Sequence, residues 1–263
     1  MSTSVLSRHI NYDEVASIYN QRYAAGGPEG IAVALHDLVS EVGAGRILEV
    51  GCGTGHWMAA LQPIDHMYGL DLSFGMLQKA RERQKAFYLV QGNANQLPFP
   101  DKAFDVVFCV HALHHFDRPQ GFVRDARRVL RQGGALAVIG MNPHAGRERW
   151  YLYDYFPGTY ETDLARYPSA GTIMDWMVTA GFDSVRWRVA ARIMDTRIGQ
   201  EVLADPILQK HGTSQLALLT DEAYAAGMAR IKEAIANAEA AGETLVFPVD
   251  ISIGMVSGYL QER

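Results

Sequence analysis

The stretch "RILEVGCGTGHW", residues 46–57, decides the fold, because it joins a strand-like apolar run to a glycine-rich turn. The residues before the turn are mostly apolar, which is typical of a buried β-strand. Gly51, Gly53 and Gly55 then open a predicted helix, and glycines in such a turn let a ligand approach the backbone closely. Taken alone, this pattern fits a dinucleotide site and a simple tight turn equally well.

Two acidic residues narrow the ligand class. A G-x-G-x-x-G dinucleotide fingerprint would have its last glycine where this chain has His56. Glu49 places a carboxylate beside the turn, where it would repel a pyrophosphate but suit a cationic ammonium or sulfonium group. Asp71 follows about twenty residues later, where an acid can accept hydrogen bonds from both ribose hydroxyls. The alternative for Asp71 is an N-cap or strand-end acid, although Ser73 can fill the cap role.

Short apolar runs alternate with helical patterns through the first half of the chain. Strands are predicted over residues 46–50, 67–71, 86–91, 104–110 and 135–141, and helices over 55–62, 73–84 and 120–134, the last ending at a glycine pair. Strands separated by helices imply right-handed crossovers and a mostly parallel sheet. The sequence therefore predicts a doubly wound α/β domain whose ligands bind beyond the carboxyl ends of the strands.

The second half of the chain has a different pattern. A helix that stops at Gly181 and a strand over 184–190 are followed by a helical pattern over 193–242 and a last strand over 245–258. No low-complexity linker separates these segments. We therefore expect the helical block to be an insertion that packs on the sheet.

Composition excludes several classes of protein. The 263 residues are 48% hydrophobic and 20% charged, which allows a sizeable core, and the formal net charge of −5 with dispersed basic residues disfavours a nucleic-acid partner. No run of about eighteen apolar residues predicts a membrane span. Cys52 and Cys109 have no C-x-x-C spacing, so neither a metal site nor a disulfide framework is expected. These features predict a cytoplasmic protein.

Four segments carry a family resemblance: "LEVGCGTG" (48–55), "GLDLSFGML" (69–77), "GNANQLPFPDKAFDVVFCVHALHHF" (92–116) and "RRVLRQGGALAVIG" (127–140). In this order they resemble the motifs of the class I S-adenosylmethionine-dependent methyltransferases, in the small-molecule subgroup that includes the quinone-biosynthesis enzymes. The resemblance implies a Rossmann-like methyltransferase fold with a seven-stranded, mostly parallel sheet and an antiparallel last strand. The helical insertion then falls between the last two strands.

The resemblance also implies which residues bind the methyl donor, S-adenosylmethionine. The methionine moiety is expected at Glu49 with Gly51, Cys52, Gly53 and Gly55, the ribose at Asp71, the adenine at Leu72, Met76, Asn93 and Ala94, and a closing helix at Tyr19 and Arg22. The implied division is a helical cap over 1–40, a core over 41–192 and 243–263, and an insertion over 193–242. The family usually has aspartate where this chain has Asn93. Its amide oxygen can still accept a hydrogen bond from adenine, or Asn93 can be a loop residue only.

Histidines at the end of the fourth predicted strand are candidates for catalysis. His111 is expected to face the donor and could take a proton from an acceptor, with His115 as a second candidate. Both can equally be structural, His111 as a wall of the donor pocket. Methyl transfer from a sulfonium is an in-line displacement, so alignment of the reactants can suffice without a catalytic residue.

The expected activity is transfer of a methyl group to a small-molecule acceptor, with S-adenosylhomocysteine as product. Two segments are candidate acceptor walls: residues 147–168, which hold Trp150 and several tyrosines, and the insertion. The alternative for the aromatic segment is an ordinary surface helix whose aromatic residues pack under the insertion. Two alternatives stay open: a protein that binds the donor without transferring its methyl group, and a methyltransferase acting on RNA or protein. A monomer or homodimer is expected, and the sequence does not identify the acceptor.

Overall fold

The computed structural model describes residues 12–15 and 29–261, and an eight-stranded sheet lies at the centre of this part of the chain. The strands are β1 (Arg46–Val50), β2 (His66–Asp71), β3 (Tyr88–Gln91), β4 (Phe104–Val110), β5 (Leu130–Met141), β6 (Arg149–Trp150), β7 (Asp183–Ile198) and β8 (Val246–Tyr259). Their order is β3-β2-β1-β4-β5-β8-β6, and β7 also pairs with β8. The strands β1 to β5 are parallel, whereas β8 runs antiparallel to its neighbours β5, β6 and β7.

This topology confirms the predicted doubly wound α/β fold with an antiparallel last strand. The eighth strand is the two-residue β6, which pairs with β8 and adds to the seven expected strands. The chain leaves β1 toward β2 on one side and later returns to β4 on the other side. A crevice therefore opens beyond the carboxyl ends of β1 and β4, where such sheets bind ligands.

Helices cover both faces of the sheet. They are α1 (Tyr12–Val15), α2 (Glu29–Val42), α3 (His56–Ala60), α4 (Phe74–Arg83), α5 (Pro119–Val129), α6 (Tyr151–Tyr155), α7 (Thr159–Arg166), α8 (Ala170–Ala180), α9 (Ser214–Ala217) and α10 (Asp221–Ala240). Neighbouring residues of β1 show why the strands are apolar throughout: Ile47 joins the core layer that contains Leu35 of α2, and Leu48 joins the layer that contains Phe122 of α5. Both faces of the strand are buried, so it shows no polar alternation.

The helical pattern predicted from residue 193 is wrong for its first six residues. Strand β7 continues to Ile198, where it pairs with Val246 of β8. Side chains on this part of β7 are largely exposed, among them Met194 at 70%. The usual alternation of apolar and polar residues is therefore weak, and the long partner strand β8 determines the structure instead. The helical and 3₁₀ segments begin at Gly199.

The predicted glycine stop after α5 is also wrong. The helix ends at Val129, and β5 begins at the next residue, Leu130, five residues before the predicted start. Leu130 pairs with Phe104 of β4, after which a register shift leads into the regular pairing from Ala135 onward. The glycines at 133 and 134 lie inside the irregular start of the strand.

The insertion packs closely on the rest of the protein through α10. Ile231 and Ile235 are fully buried, and the Thr220 hydroxyl caps the helix by accepting a hydrogen bond of 3.2 Å from the Ala223 amide. Gly227 lies against the ring of Phe156, so close that a β-carbon on Gly227 would lie 2.1 Å from Cδ1 of that ring. A side chain at this position would force the helix away from the aromatic ring.

Gly227→Ala is therefore expected to destabilise the protein by about 1–3 kcal/mol, the usual cost of overpacking a filled site. Alanine is the better helix former, so a loss of stability would have to come from the clash with Phe156. Thermal unfolding measures the effect. The matched control is Gly171→Ala in α8, where the nearest atom to a new β-carbon lies at 3.8 Å. Equal melting temperatures for the two variants would show that α10 does not pack against Phe156 in solution.

Candidate functional site

A cavity of about 380 Å³, here called the main cavity, lies beyond the carboxyl ends of β1, β2, β3 and β4. This volume is within the range of about 300–1,000 Å³ that is usual for small-molecule sites. Nine of the residues singled out from the sequence line it: Gly51, Gly53, Asp71, Leu72, Met76, Asn93, Ala94, His111 and His115. Glu49, Cys52 and Gly55 lie nearby but not in its wall. Tyr19 and Arg22 fall outside the residues that the structure describes.

The first three backbone amides of the glycine-rich turn are already used inside the protein. Those of Gly51 and Cys52 donate to the Leu70 carbonyl oxygen at 2.7 and 3.1 Å, and that of Gly53 donates to Oδ2 of Asp71 at 2.8 Å. Phosphate-binding loops need such amides to point at the ligand. The turn is therefore poorly suited to a pyrophosphate, in agreement with the argument from Glu49.

His56 adds no positive charge to the turn. Burial, together with the neighbouring positive charge of Arg83, lowers the pKa of His56 to about 4. The imidazole is consequently neutral at pH 7, and it cannot compensate the charge of a phosphate at the start of α3.

Gly51 and Gly55 have different reasons to be glycine. Gly51 has φ +72°, and a β-carbon there would lie 2.5 Å from Cβ of Ala112 at the edge of the main cavity. Gly55, at φ +71°, precedes α3 and packs toward Phe87, away from the cavity. The first glycine therefore keeps the cavity open, whereas the second lets α3 pack against its neighbours.

Glu49 is a buried carboxylate with an unused oxygen. Its side chain is 1% exposed, and its Oε2 has no hydrogen-bond partner among the described residues. Burial, and then the negative charge of Asp71, raise the pKa of Glu49 well above its usual value, while a hydrogen bond from the Met58 backbone partly opposes the shift. Glu49 lies two residues before Gly51, which lines the main cavity, and a buried acid with an unpartnered oxygen is stabilised when a cationic group pairs with it.

Asp71 holds the turn and the cavity wall together. Its two oxygens accept hydrogen bonds from the backbone amides of Gly53 at 2.8 Å and Ser73 at 2.9 Å. Burial raises the pKa of Asp71, and these amides oppose that shift. Ser73 caps α4 as predicted, because its hydroxyl accepts from the Met76 amide at 3.1 Å. Each Asp71 oxygen retains a second lone pair for a ligand hydroxyl.

Asn93 takes part in a turn of its own loop. Its Oδ1 accepts a hydrogen bond from the Asn95 amide at 2.8 Å, as in an Asx-turn. Arg128 of α5 fixes the same loop by donating to the carbonyl oxygens of Leu97 and Phe99 at 3.0 and 2.8 Å. Asn93 thus has a structural role, although it also lines the main cavity.

Helix α1 supplies residues to the site that the sequence analysis missed. The Tyr12 hydroxyl lies 2.7 Å from Nε2 of His115, and Tyr12 lines the main cavity. Oδ1 of Asp13 accepts hydrogen bonds from the Ser73 hydroxyl at 2.6 Å and the Gly75 amide at 2.7 Å, which lower the pKa of Asp13. These contacts fasten α1 to the start of α4. The only local signal for this contact is that Tyr12 is followed by the acid Asp13. The family resemblance had instead implied Tyr19 and Arg22 as the closing residues.

Tyr12→Phe is expected to weaken binding of a ligand in the main cavity by about 0.5–1.5 kcal/mol, the usual net contribution of one hydrogen bond. The variant keeps the ring but loses the bond to His115, so α1 is held less firmly over the site. Calorimetric titration with S-adenosylhomocysteine measures the change. Tyr88→Phe, which alters an exposed tyrosine stacked on Tyr68, serves as control. An unchanged affinity for the Tyr12 variant would remove α1 from the binding site.

The three neighbouring histidines differ in their other contacts, although the rings of His114 and His115 lie 4.0 Å apart. His111 has φ +51°, which is uncommon for a residue with a β-carbon, and its backbone amide donates to the Ile139 carbonyl oxygen at 2.8 Å. The ring of His114 stacks on that of Tyr167 at 3.9 Å. His115 meets Tyr12. Of the three, only His111 lines both the main cavity and a second opening beside it.

The second opening, here called the side cleft, lies between the ends of β4 and β5, β8 and α8. Residues 147–168 contribute only Tyr167 and Pro168 to it, since Trp150, Tyr151 and Tyr153 are buried in the core. No described residue of 193–242 lines either opening. The predicted insertion instead contacts the segment 147–168: Gln215 donates a 2.7 Å hydrogen bond to the buried carboxylate of Asp163.

Other reactive groups are few in the described part of the chain. Burial raises the pKa of the thiols of Cys52 and Cys109, assisted by nearby carboxylates, so both stay protonated and unreactive. Residues 12–15 and 29–261 contain no group of three or more potential metal ligands placed to hold an ion. Within the same ranges, no helix combines the length and apolar character needed to cross a membrane.

Comparison with known proteins agrees with this geometry. Residues 48–138 match a family model described as a methyltransferase domain. The uncharacterized methyltransferase YcgJ of Bacillus subtilis is 36% identical over 100 residues, or 36% of this chain and 40% of that protein. Demethylmenaquinone methyltransferase of Listeria welshimeri is 38% identical over 103 residues, or 36% of this chain and 44% of that protein. The chain thus spans about two-fifths of the length of these curated relatives.

Solved structures extend the likeness in fold to most of the chain. The crystal structure of YcgJ matches with a TM-score of 0.56 at 18% identity, covering 89% of this chain and 100% of that one. The [4+2]-cyclase SpnF matches with a TM-score of 0.60 at 21% identity, and the match covers 96% of this chain and 94% of that one. These low identities establish the fold alone. In sequence, residues 48–138 match the methyltransferase domain, and the chain resembles the class I S-adenosylmethionine-dependent methyltransferases, including the quinone-biosynthesis enzymes.

Proposed function

We propose that this protein is an S-adenosylmethionine-dependent methyltransferase that acts on a small molecule. The observation that carries the proposal is Glu49, a buried acid that has an unpartnered oxygen and precedes by two residues Gly51, which lines the main cavity. The carboxylate of Asp71, placed to accept from a ribose, and a turn whose Gly51, Cys52 and Gly53 amides are already engaged add to it. The domain match over residues 48–138 agrees with this choice of donor.

The residues present fit the donor. In the proposed arrangement Glu49 receives the ammonium group, Asp71 the ribose hydroxyls, and Leu72, Met76 and Ala94 the adenine. Leu72 is 70% exposed, so it is available to cover a flat base. Tyr12 closes the cavity from α1.

When bound, S-adenosylmethionine would supply a methyl group on a positively charged sulfur, which a lone pair of the acceptor could displace while the electrons of the carbon–sulfur bond return to sulfur. The acceptor then loses a proton. His111 lies where the two openings meet and is the proposed recipient, directly or through water. Alignment of the reactants by the two openings supplies the rest of the rate enhancement.

A small acceptor is preferred over a macromolecule. The net charge of −5 and the dispersed basic residues give no electrostatic footprint for nucleic acid, and we place the protein in the cytoplasm as a monomer or homodimer. Demethylmenaquinone methyltransferase carries the name of a small-molecule substrate, which agrees with this class without identifying the acceptor here.

The proposal is tested by measuring S-adenosylhomocysteine release over a panel of phenols, quinols, amines and carboxylates. We expect release with at least one class, and loss of release when Asp71 is replaced by alanine. The [4+2]-cyclase SpnF has the same fold, so the fold alone does not fix the reaction. Tight binding of S-adenosylmethionine without product from any class would favour the donor-binding alternative.

A further inference from the structure

The carboxylate of Asp163 on α7 is fully buried and accepts three hydrogen bonds. Its Oδ2 accepts from the Tyr153 hydroxyl at 2.8 Å and from Nε2 of Gln215 at 2.7 Å, and its Oδ1 accepts from the Arg166 guanidinium at 2.9 Å. A buried charge is tolerated only with such partners. Because Gln215 belongs to α9 in the insertion, Asp163 fastens the insertion to the segment 147–168.

Arg166 extends this network to the next residue, Tyr167. Its guanidinium donates to the Ser214 hydroxyl at 3.0 Å as well as to Asp163, and it lies 5.6 Å from the centre of the Tyr167 ring. A cation at this distance is attracted by the face of an aromatic ring. Nε2 of His144 lies 2.8 Å from the Tyr167 carbonyl oxygen. The ring and the backbone of Tyr167 are therefore both held in place.

The Tyr167 ring supports the histidines that follow β4. It stacks on the ring of His114 at 3.9 Å, with 18° between the two planes, and the ring of His114 lies 4.0 Å from that of His115. His115 in turn meets the hydroxyl of Tyr12 on α1 at 2.7 Å. These four side chains, here called the ring row, join the insertion to α1 by direct contacts.

Only one end of the ring row reaches the main cavity. Tyr12 and His115 line that cavity, whereas Tyr167 and His114 line the side cleft. Gln215 lines neither opening. A change at Tyr167 or Gln215 would therefore act on a ligand in the main cavity through the position of His115 and Tyr12, not by contact with the ligand.

We propose that Tyr167 is a positioning residue for donor binding, which acts through the ring row on Tyr12 and α1. Gln215 of the insertion supports Tyr167 in turn, through the buried carboxylate of Asp163. This inference rests on the proposed function, because the ligand that it concerns is the methyl donor. It gives the insertion a part in holding the donor, although no described residue of 193–242 lines either opening.

Tyr167→Leu should weaken binding of S-adenosylhomocysteine about three- to tenfold, comparable to the loss of one hydrogen bond, because Tyr12 is then held less firmly. Tyr167→Phe keeps the ring that stacks on His114 and should retain the wild-type affinity. Calorimetric titration of the full chain measures both. The matched control is Trp176→Leu on α8, which removes an aromatic ring that lines neither opening and should leave the affinity unchanged.

A double-mutant cycle separates positioning from a general loss of structure. In the Tyr12→Phe background, Tyr167→Leu should cause no further loss of affinity, because the bond through which it acts is already absent. Independent effects of the two changes would multiply instead.

The part played by the insertion is measured in the same way, and this cycle also serves if Tyr167→Leu does not fold. Gln215→Leu should weaken S-adenosylhomocysteine binding about three- to tenfold in the wild-type background and not further in the Tyr12→Phe background. Gln200→Leu is the matched control, because it removes an exposed 3.0 Å hydrogen bond to Glu239 elsewhere in the insertion. Its affinity should equal that of the wild type.

Several results would overturn the inference. They are unchanged affinity after Tyr167→Leu, an equal loss after Tyr167→Phe, losses that multiply in the Tyr12→Phe background, or equal affinities for Gln215→Leu and Gln200→Leu. Failure of the wild-type protein to bind S-adenosylhomocysteine would instead count against the proposed function, so the two failures can be told apart.

Discussion

Glu49→Gln is expected to weaken binding of S-adenosylhomocysteine by about 1.5–3 kcal/mol, roughly ten- to hundredfold, because the ligand's ammonium group then faces a neutral amide instead of a carboxylate. Glutamine keeps the size of the side chain and can still accept the hydrogen bond from the Met58 backbone. The loss should depend on the ligand's ammonium group. Calorimetric titration of the two proteins provides the measurement.

The comparison ligand is 5′-methylthioadenosine, which has the same base and ribose but no amino acid. Its affinity should be the same for wild-type protein and Glu49→Gln. Glu148→Gln is the matched control, because Glu148 also has a raised pKa and a buried unpartnered oxygen but lines neither opening. Equal losses for both ligands would show that Glu49 does not recognise the ammonium group.

The same variant should make the ligand-free protein more stable at neutral pH. The folded-state pKa of Glu49 is raised above its unfolded value, so ionising this acid costs stability as pH rises from the unfolded value toward the folded one. Glutamine removes that cost. The gain in stability should be absent below about pH 4.5, where Glu49 is protonated in both the folded and the unfolded protein, and it should grow above that pH. A gain of about 1 kcal/mol in the free energy of unfolding corresponds to a rise of about 2–4 °C in melting temperature. A gain that did not depend on pH would contradict this account.

Asp71→Ala is expected to weaken S-adenosylhomocysteine and 5′-methylthioadenosine alike, by about 1–3 kcal/mol, because both carry the ribose whose hydroxyls lose their acceptor. The expected pattern therefore differs from that of Glu49→Gln, which affects only one ligand. A 2′,3′-dideoxy analogue of adenosine, which lacks both hydroxyls, should bind wild-type protein and variant more nearly equally. Titration of the three ligands separates the ribose contribution from a general loss.

Asp105→Ala controls for the structural part of this effect. Asp105 likewise accepts hydrogen bonds from two backbone amides, those of Gly45 and Arg46 at 2.9 and 2.7 Å, but it lies near the amino end of β4, away from the main cavity. Its replacement should lower stability and leave ligand affinity unchanged. Unaltered affinity after Asp71→Ala would remove Asp71 from the site.

The sequence predicted the fold well where burial leaves a clear pattern. The bounds predicted for β1 and β4 match the structure because both strands are apolar on both faces and end in turns. Prediction was wrong at Ile193–Ile198, where one exposed face removes the pattern, and at Leu130, where β5 begins without a turn residue. In both places pairing with a distant strand outweighs the local preference.

The site could be predicted only in part. Motif residues such as Asp71 and Asn93 follow strands in the sequence, and the parallel sheet brings those strand ends together. Tyr12 and Trp187 reach the two openings through contacts distant in sequence, which no local pattern encodes.

The central claim, that the glycine-rich turn and Glu49 select a cationic nucleoside over a dinucleotide, is tested most directly by titrating the wild-type protein calorimetrically with S-adenosylhomocysteine and with NAD under the same conditions. The account predicts one S-adenosylhomocysteine bound per chain and no measurable binding of NAD. Binding of NAD with equal or greater affinity, or no binding of S-adenosylhomocysteine, would contradict it.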